Sequence, residues 1–542
     1  MRRRGLLLGG ALLAAGLGAC ARRDELSYTG GWVGADHERG HRLRETKSGA
    51  LSLPALQRRT DVLIVGAGVA GLAAARALRR AGIDDVHLVE LEDGPGGNSR
   101  GHRLAGMACP LGAHYLPLPG AHAHEVAEML DELGVRRSAH GRAVYDERHL
   151  CHSPQERLYI DGQWQDGLLP RADGDGALRT QYRGFGAAVE AAQRVTPFAM
   201  PTARAPWTPQ HATLDAMTFA QWLDVQGLSH PKLRWYLDYC CRDDYGAGAA
   251  QVSAWAGLHY FASRHGFHAP GDEQEDRDAV LTWPEGNAWL VERLASVHRD
   301  RLHTGRTALR ISETRHEVGV DVWSAAEQRT ERWIARQLVL ALPLFVAHRL
   351  IDAPPAALVQ AASRMRYAPW LVANVHLDKP LTDRPGAAPS WDNVLYGSVG
   401  LGYVDAMHQS LRPHAGPTVI TAYRALGGDA PAQSIAQRRR LLAEPWQAWA
   451  QEVVNELSHA HPDLPRKAKQ IDLMRYGHAM SIPAPGVRGS AALRALTAPL
   501  GRVHFAHSDL SGYSVFEEAF FHGQRAGLAA SAALKSTAAR NG

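Results

Sequence analysis

Cysteine is scarce in this chain: five residues in 542, at Cys20, Cys109, Cys151, Cys240 and Cys241, with no Cys-x-x-Cys spacing among them. That excludes a disulfide framework and leaves no thiolate pattern for a structural zinc ion, so no metal site is expected. Cys109, Cys151, Cys240 and Cys241 read as small core side chains. An excess of one charge is also lacking. The formal net charge is +5 at pH 7, and three of the positive charges are Arg2, Arg3 and Arg4. A nucleic-acid partner therefore has no electrostatic basis. There is no internal repeat, no low-complexity segment, no Gly-x-Ser-x-Gly element of a hydrolase and no His-Glu-x-x-His element of a metalloprotease. The length implies two or more domains with ample core.

The apolar run over residues 5–19 is too short to cross a bilayer comfortably. Arginines before it and Cys20 after it give the charged and hydrophobic regions of a signal peptide. Leu17-Gly18-Ala19-Cys20 resembles a bacterial lipobox, and the arginines resemble a twin-arginine signal, which exports proteins already folded. The expectations are a signal peptide with lipobox over residues 1–20, lipidation at Cys20, and residence on the periplasmic side of a bacterial membrane through that lipid anchor. A polar tether over 21–57 would follow.

What is present becomes informative at Arg59. The apolar run Val62-Leu63-Ile64-Val65 feeds Gly66-Ala67-Gly68-Val69-Ala70-Gly71, a helix-like run follows over 72–81, and a second apolar stretch over 86–89 ends at Glu90. Strand, Gly-x-Gly-x-x-Gly turn, helix, strand and acid make a complete βαβ dinucleotide fingerprint. Gly66 allows the tight turn, Gly68 lets a pyrophosphate approach the backbone beside Ala70, and Gly71 lets helix and strand pack closely. The phosphates sit on the helix N-terminus, where free N–H groups and the dipole favour anions. Glu90 accepts hydrogen bonds from a ribose diol. A nucleotide cofactor loaded in the cytoplasm also gives export of the folded chain a physical reason.

Further elements follow in a fixed order. Asp93-Gly94-Pro95-Gly96-Gly97-Asn98-Ser99-Arg100 is a glycine-rich loop, and Pro110-Leu111-Gly112-Ala113-His114-Tyr115 leads into a helical run over 123–133. Arg306-Thr307-Ala308-Leu309-Arg310-Ile311 precedes an alternating strand over 318–323, and an apolar strand ends at Val339-Leu340-Ala341-Leu342-Pro343. Val503-His504-Phe505-Ala506 runs into Asp509, Ser511-Gly512-Tyr513 and a helix over about 516–530. In this order the pieces resemble the flavin-containing amine oxidase superfamily, over roughly residues 60–140 and 280–535. The resemblance implies an α/β fold, with a Rossmann-like FAD-binding domain and an inserted substrate domain of mixed sheet and helices. The FAD domain would comprise 58–140, 281–345 and 491–542, and the substrate domain 141–280 and 346–490.

The resemblance also implies FAD, held without a cysteinyl bond because no cysteine lies near the C-terminal flavin segment. Gly66, Gly68, Ala70 and Gly71 would face the pyrophosphate and Glu90 the adenosine ribose. Gly96, Gly97 and Asn98 match the double-glycine loop beside the phosphates and ribityl chain. Gly112, Ala113, His114 and Tyr115 match the segment passing the isoalloxazine, Ala308 the residue whose backbone meets the adenine, and Asp509 an acid on the ribityl or phosphate side. The helix after Tyr513 would aim its N-terminal N–H groups at the flavin pyrimidine. The sequence departs from the pattern in three places. Asn98 replaces the usual arginine, Val372 stands at or near the lysine of many amine oxidases, and of two cage tyrosines one matches Tyr513 while the other, near His478-Ala479, is missing.

In the middle of the chain, 214–223, 231–241 and 253–264 read as amphipathic helices of the substrate domain. The acidic loop 271–278 reads as solvated surface. Arg242-Asp243-Asp244-Tyr245 brings charge and an aromatic together at a helix end: Asp243 or Asp244 binds a substrate ammonium, or forms an ion pair with Arg242 or a nearby base. Tyr476 is a further substrate-side candidate. His114, His478 and Tyr513 are the candidate catalytic groups, the histidines as proton carriers or as hydrogen-bonded core residues, and Tyr513, His114, Tyr115 and His478 are the candidates for the wall facing the substrate. The implied reaction is oxidation of a small-molecule amine or polyamine, with hydride passing from the carbon beside a neutral amine to flavin N5 and water hydrolysing the imine. Two alternatives stand beside it: an FAD-dependent desaturase or dehydrogenase of an apolar substrate, and a flavin-binding or degenerate non-catalytic lipoprotein. The electron acceptor is left open.

Overall fold

Strand Leu56–Val65 lies at the centre of a seven-stranded sheet, pairing in parallel with Val86–Val89 on one side and with Arg329–Leu340 on the other. Its apolar run is continuous because both faces are covered. Val62 and Ile64 join one core with the helices, and Leu63 and Val65 join another with Val318, Val320 and Leu344. The computed structural model describes residues 28–45, 54–264, 266–268, 279–410 and 414–541. Cys20, the rest of the signal and the acidic loop 271–278 lie outside the described residues.

Strand Arg329–Leu340 changes partner along its length. Its first half runs antiparallel to Val318–Ser324, and its last residues run parallel to Val503–Phe505. This exchange returns the end of the chain to the first glycine turn. Helix Phe516–Asn541 then packs along helix Val69–Arg80. The approach is close: a Cβ on Gly523 would stand 2.1 Å from the Ala70 carbonyl oxygen, and one on Gly527 2.6 Å from that of Ala74.

The second sheet has eight strands, built around Arg366–Leu377 and Ala468–Ile482. Alternation sorts its side chains by face. Trp370 and Val372 pack with Tyr423 and Met474, while Leu371, Ala373 and Val375 pack with Trp449 and Val453 of helix Trp446–Leu457 on the opposite side. Helices Gly176–Val195, Phe219–Val225, Pro231–Tyr245 and Ala254–Ala262 share the first of these cores.

Two expectations are corrected here. The stretch 21–57 is not a plain tether. Thr29–Trp32 adds a parallel edge strand to Ala468–Ile482, and helix His37–Glu45 follows, with Arg42 over the Trp323 ring and Arg475 donating to His37 Nδ1. Edge pairing uses backbone groups, so it leaves no apolar period in the sequence. The single helix expected over 214–223 is two helices, Pro209–Asp215 and Phe219–Val225. Thr218 Oγ1 accepts from the Gln221 N–H and Gln221 Oε1 accepts from the Thr218 N–H, a reciprocal cap that starts the second helix afresh. Among the described residues no helix is long and apolar enough to cross a membrane.

Candidate active site

One cavity is walled by the C-terminal ends of the first sheet, by the Trp370 face of the second and by the ends of two helices. Gly66 has φ +97°, and a Cβ there would stand 2.5 Å from the Ala341 carbonyl oxygen. At Gly71 a Cβ would stand 1.9 Å from the Gly66 carbonyl oxygen. Those two glycines are required by the protein's own packing. Gly68 is not: its φ is −71°, and a Cβ would meet nothing nearer than the Gly97 Cα at 3.8 Å. The space it leaves open lies over the first turn of helix Val69–Arg80, which has no side-chain cap. Gly96 (φ +125°) and Gly97 (φ +56°) close the other side, with the Gly96 N–H donating to the Ala67 carbonyl at 2.9 Å. This is a cradle for an anion with room for atoms that the chain does not supply.

Glu90 lines the same end. Its Oε2 accepts from the Ala67 N–H at 2.7 Å and its Oε1 from the Glu92 N–H at 3.0 Å. Burial pushes its pKa up against those two donors. Each oxygen keeps a lone pair, which suits a diol. Farther along, Gly112 is forced, because a Cβ would stand 2.1 Å from the Asn98 carbonyl oxygen. The Ala113 N–H donates to that same oxygen at 2.8 Å, and Asn98 Nδ2 donates to the Ala479 carbonyl. Asp509 is wholly buried. Its Oδ2 accepts from the Leu344 N–H (2.8 Å) and the Tyr367 hydroxyl (2.6 Å), whereas Oδ1 has no hydrogen-bond partner. Burial works against its charge, yet His507, Tyr367 and the Leu344 N–H together hold its pKa below the usual carboxylate value. The nearest group to Oδ1 is His507 Nδ1 at 3.3 Å, and the oxygen can still accept a donor from a ligand in the cavity.

The far end is aromatic and acidic. His114 stacks on Tyr423 with centroids 4.4 Å apart, and Tyr423 donates its hydroxyl hydrogen to the Gly112 carbonyl at 3.0 Å. The Tyr476 hydroxyl is committed to the Leu111 carbonyl at 2.9 Å, so Tyr476 shows the cavity its ring. Trp370 and Val372 complete that wall, Val372 directly opposite Tyr423 in register. His478 stacks on Phe345 at 4.3 Å. Burial pushes both His114 and His478 down to about 3, the latter helped by Arg438 and Arg349. Burial thus favours the neutral ring at both positions, which suits the wall role expected of them beside Tyr115 and weighs against a proton-carrier role.

Asp243 and Asp244 close helix Pro231–Tyr245, which Gly246 ends at φ +73°. The basic partner of Asp244 is Arg264, just beyond helix Ala254–Ala262. Arg264 Nη2 lies 3.1 Å from Asp244 Oδ2, and their side chains are 14% and 6% exposed. Arg242 pairs instead with Asp238 at 3.0 Å. Asp243 is pushed up to about 7 by burial, with Asp244 adding to the shift and Arg264 opposing it. Glu517, in the first turn of the last helix, joins this group on the cavity wall.

Three expected site residues, Tyr513, Ala308 and Gly71, do not line the cavity. Tyr513 is wholly buried and faces away from the cavity. Its hydroxyl meets Glu518 Oε1 and His259 Nε2, each at 2.9 Å, and the wall is made instead by Ser514, Val515 and Phe516 at the helix start. The Ser-Gly-Tyr match misled because Gly512, at φ +83°, turns the chain just before the tyrosine. Tyr513→Phe is therefore expected to leave the flavin-reduction rate within about threefold of wild type and to cost about 1–3 kcal/mol of stability through the unpaired His259 and Glu518, read by thermal melting beside anaerobic kinetics. Ala308 also lies off the cavity wall, buried in strand Arg306–Glu313 opposite Val322. Gly71 serves packing rather than the wall. Sequence reading missed Arg264, Glu517, Trp370, Tyr423 and Asn287. Asn287 is structurally legible: its N–H donates to the Ala113 carbonyl and its Nδ2 to the Tyr115 carbonyl, fixing the segment that passes the aromatic wall.

Fold and cavity together define a dinucleotide-binding protein whose nucleotide cradle faces a second sheet. Residues 69–528 match the sequence profile of the flavin containing amine oxidoreductases. The chain belongs to that family and is an FAD-dependent oxidoreductase. It is similar to the L-amino acid dehydrogenase of Synechocystis sp. (24% identity over 83% of this chain and 90% of that one) and to a probable flavin-containing monoamine oxidase A of Dictyostelium discoideum (22%; 83% and 92%). Among solved structures, cyclohexylamine oxidase from Brevibacterium oxydans has the same fold (TM-score 0.65, 20% identity, 88% of this chain and 99% of that one). So does putrescine oxidase bound to putrescine (TM-score 0.63, 18%, 87% and 99%). The Gly68–Gly97 cradle, Glu90 and Asp509 Oδ1 fit FAD, and among the described residues no cysteine lines the cavity.

Proposed function

We propose that this chain oxidises a small amine that carries no carboxylate, bound as an ammonium by the acidic end of the cavity. The observation that carries this reading is the charge balance there: Asp243, Asp244 and Glu517 face a single guanidinium, Arg264, which Asp244 already neutralises. A desolvated pair of further carboxylates favours a cation and rejects an anion. An amino acid would need a guanidinium free for its carboxylate, and an apolar desaturase substrate would leave the carboxylates buried without partners. FAD, when bound, supplies the hydride acceptor. The chain's own contributions are to cradle the phosphates at Gly68 and Gly97, to meet ribose and ribityl hydroxyls through Glu90 and Asp509, and to hold the reacting carbon between His114, Tyr423 and Trp370. The two neutral histidines neither compete for the ammonium nor repel it. Anaerobic mixing of the purified flavoprotein with tyramine and spermidine is expected to bleach the visible flavin band and yield the corresponding carbonyl compound and amine product. No bleaching by any amine on a broad panel would end this reading.

We also propose a division of the chain into FAD and substrate domains along the two sheets, and export with a lipid anchor at Cys20. Arg2–Arg4, the apolar run and the lipobox-like Leu17-Gly18-Ala19-Cys20 support the latter. Cys20→Ser is expected to shift the protein from the membrane to the soluble fraction, and loss of the diacylglycerol mass at residue 20 checks it. An unchanged membrane fraction would contradict the anchor.

A further inference from the structure

We propose that Glu517 is the group that takes the proton from the bound substrate ammonium. This rests on the amine reading above and assigns a step within it. Hydride can leave the carbon only when the nitrogen has its lone pair free, so an amine that arrives as an ammonium must first lose a proton. The N–H bond breaks, its electron pair stays on nitrogen, and the proton passes to a Glu517 carboxylate oxygen, giving a neutral amine and a carboxylic acid.

At the acidic end of the cavity, away from the Glu90 and Asp509 cradle, elimination leads to Glu517. His114 and His478 are neutral walls, the Tyr476 and Tyr423 hydroxyls are committed to main-chain carbonyls, and Asp244 is held by Arg264. Asp243 sits at the helix end beside Asp244 and Tyr115, and the Tyr115 hydroxyl favours its anion. Glu517 is 4% exposed, lines the cavity, and among the described residues has no hydrogen bond to another residue; the donor it has is its own backbone N–H. Its neighbour shows the contrast. Glu518 accepts from the Thr202 N–H and from the Tyr513 and Ser511 hydroxyls, and faces away from the cavity. Two adjacent acids on one helix thus divide into a structural group and a free one.

The charges facing Glu517 suit proton exchange. Burial raises its pKa to about 7, Asp244 and Glu518 add to this, and Arg264 opposes it. Its position in the first helical turn favours the anion. A base whose pKa lies near the working pH is efficient. The sign follows: below that pKa Glu517 is already protonated and cannot accept, so flavin reduction falls as pH drops through about 7.

The test is anaerobic stopped-flow reduction of Glu517→Gln and Glu517→Asp across pH, with FAD content measured first. For a basic amine such as cadaverine, E517Q is expected to reduce about 10²–10⁴-fold more slowly than wild type at pH 7. It should lose the acid limb near 7 and instead gain about tenfold per pH unit as free amine accumulates in solution. E517D should keep a limb at partial rate. With a β,β,β-trifluorinated primary amine, whose nitrogen is largely neutral at pH 7, the ratio of wild type to E517Q should fall towards one. An unchanged rate and profile in E517Q overturns the assignment, as does an equal loss with both amines, which marks a positioning role. A colourless E517Q overturns it too, since the residue then holds the cofactor. If no amine reduces the wild type, the amine reading itself fails; if amines reduce the wild type and E517Q alike, only this assignment does.

Discussion

Gly68→Leu is expected to give a folded protein without flavin. A Cβ at this position meets no protein atom closer than 3.8 Å, and the backbone φ of −71° is open to any residue. The chain can therefore accept the side chain without unfolding. The leucine then fills the space over the uncapped helix start and displaces the pyrophosphate. Loss of two charge-assisted hydrogen bonds at about 1.5–3 kcal/mol each weakens FAD binding by roughly 10²–10⁴-fold. Gly71→Val is the control with the opposite outcome. Its Cβ would stand 1.9 Å from the Gly66 carbonyl oxygen, so helix and strand must separate and the fold itself is lost. Circular dichroism and flavin absorbance separate the two. A yellow Gly68→Leu protein would refute the cradle.

Asp244→Asn is expected to damage both stability and catalysis. It strands the Arg264 guanidinium, 14% exposed on the cavity wall, without a counter-charge. Breaking a buried pair by removing one partner costs about 3–5 kcal/mol. The released cation also faces the incoming ammonium, and we expect the second-order rate of flavin reduction by amines to fall by about 10²-fold or more. The double variant Asp244→Asn, Arg264→Gln restores the charge balance of the wild-type cavity, because Asp243 and Glu517 then stand alone. It should recover most of the melting temperature and part of the amine rate. Strictly additive losses in the double variant would show that the pair does not act through its charge.

The sequence made the nucleotide half legible because its constraints are local. Gly66, Gly71, Gly96 and Gly112 are fixed by left-handed backbone or by contacts within a few ångströms, and such positions leave glycine in the sequence. Glu90 follows a strand end in the same way. The substrate end was less legible because its chemistry is assembled by tertiary contact. Arg264 meets Asp244 across 20 residues, and Tyr423 meets His114 across more than 300, with nothing in either segment to announce it. Trp370 and Tyr423 face the cavity through strand alternation, which is visible only once the strands are known. Tyr513 misled for a related reason. The local Ser-Gly-Tyr order was right, but one left-handed glycine sent its hydroxyl to Glu518 and His259. The strand Thr29–Trp32 was hidden because edge pairing asks nothing of side chains.

The central claim is that the acidic cavity end selects an amine and excludes an amino acid. Cadaverine and lysine differ by one carboxylate, so the pair isolates that choice, and it is a sharp one given a relative named for L-amino acid dehydrogenation. The decisive measurement is the rate of anaerobic flavin reduction by each at equal concentration and pH 8. Cadaverine should reduce the flavin at least about 10²-fold faster, because the carboxylate of lysine would be buried beside Asp243 and Glu517 with no free cation to meet it. Faster reduction by lysine would contradict the account.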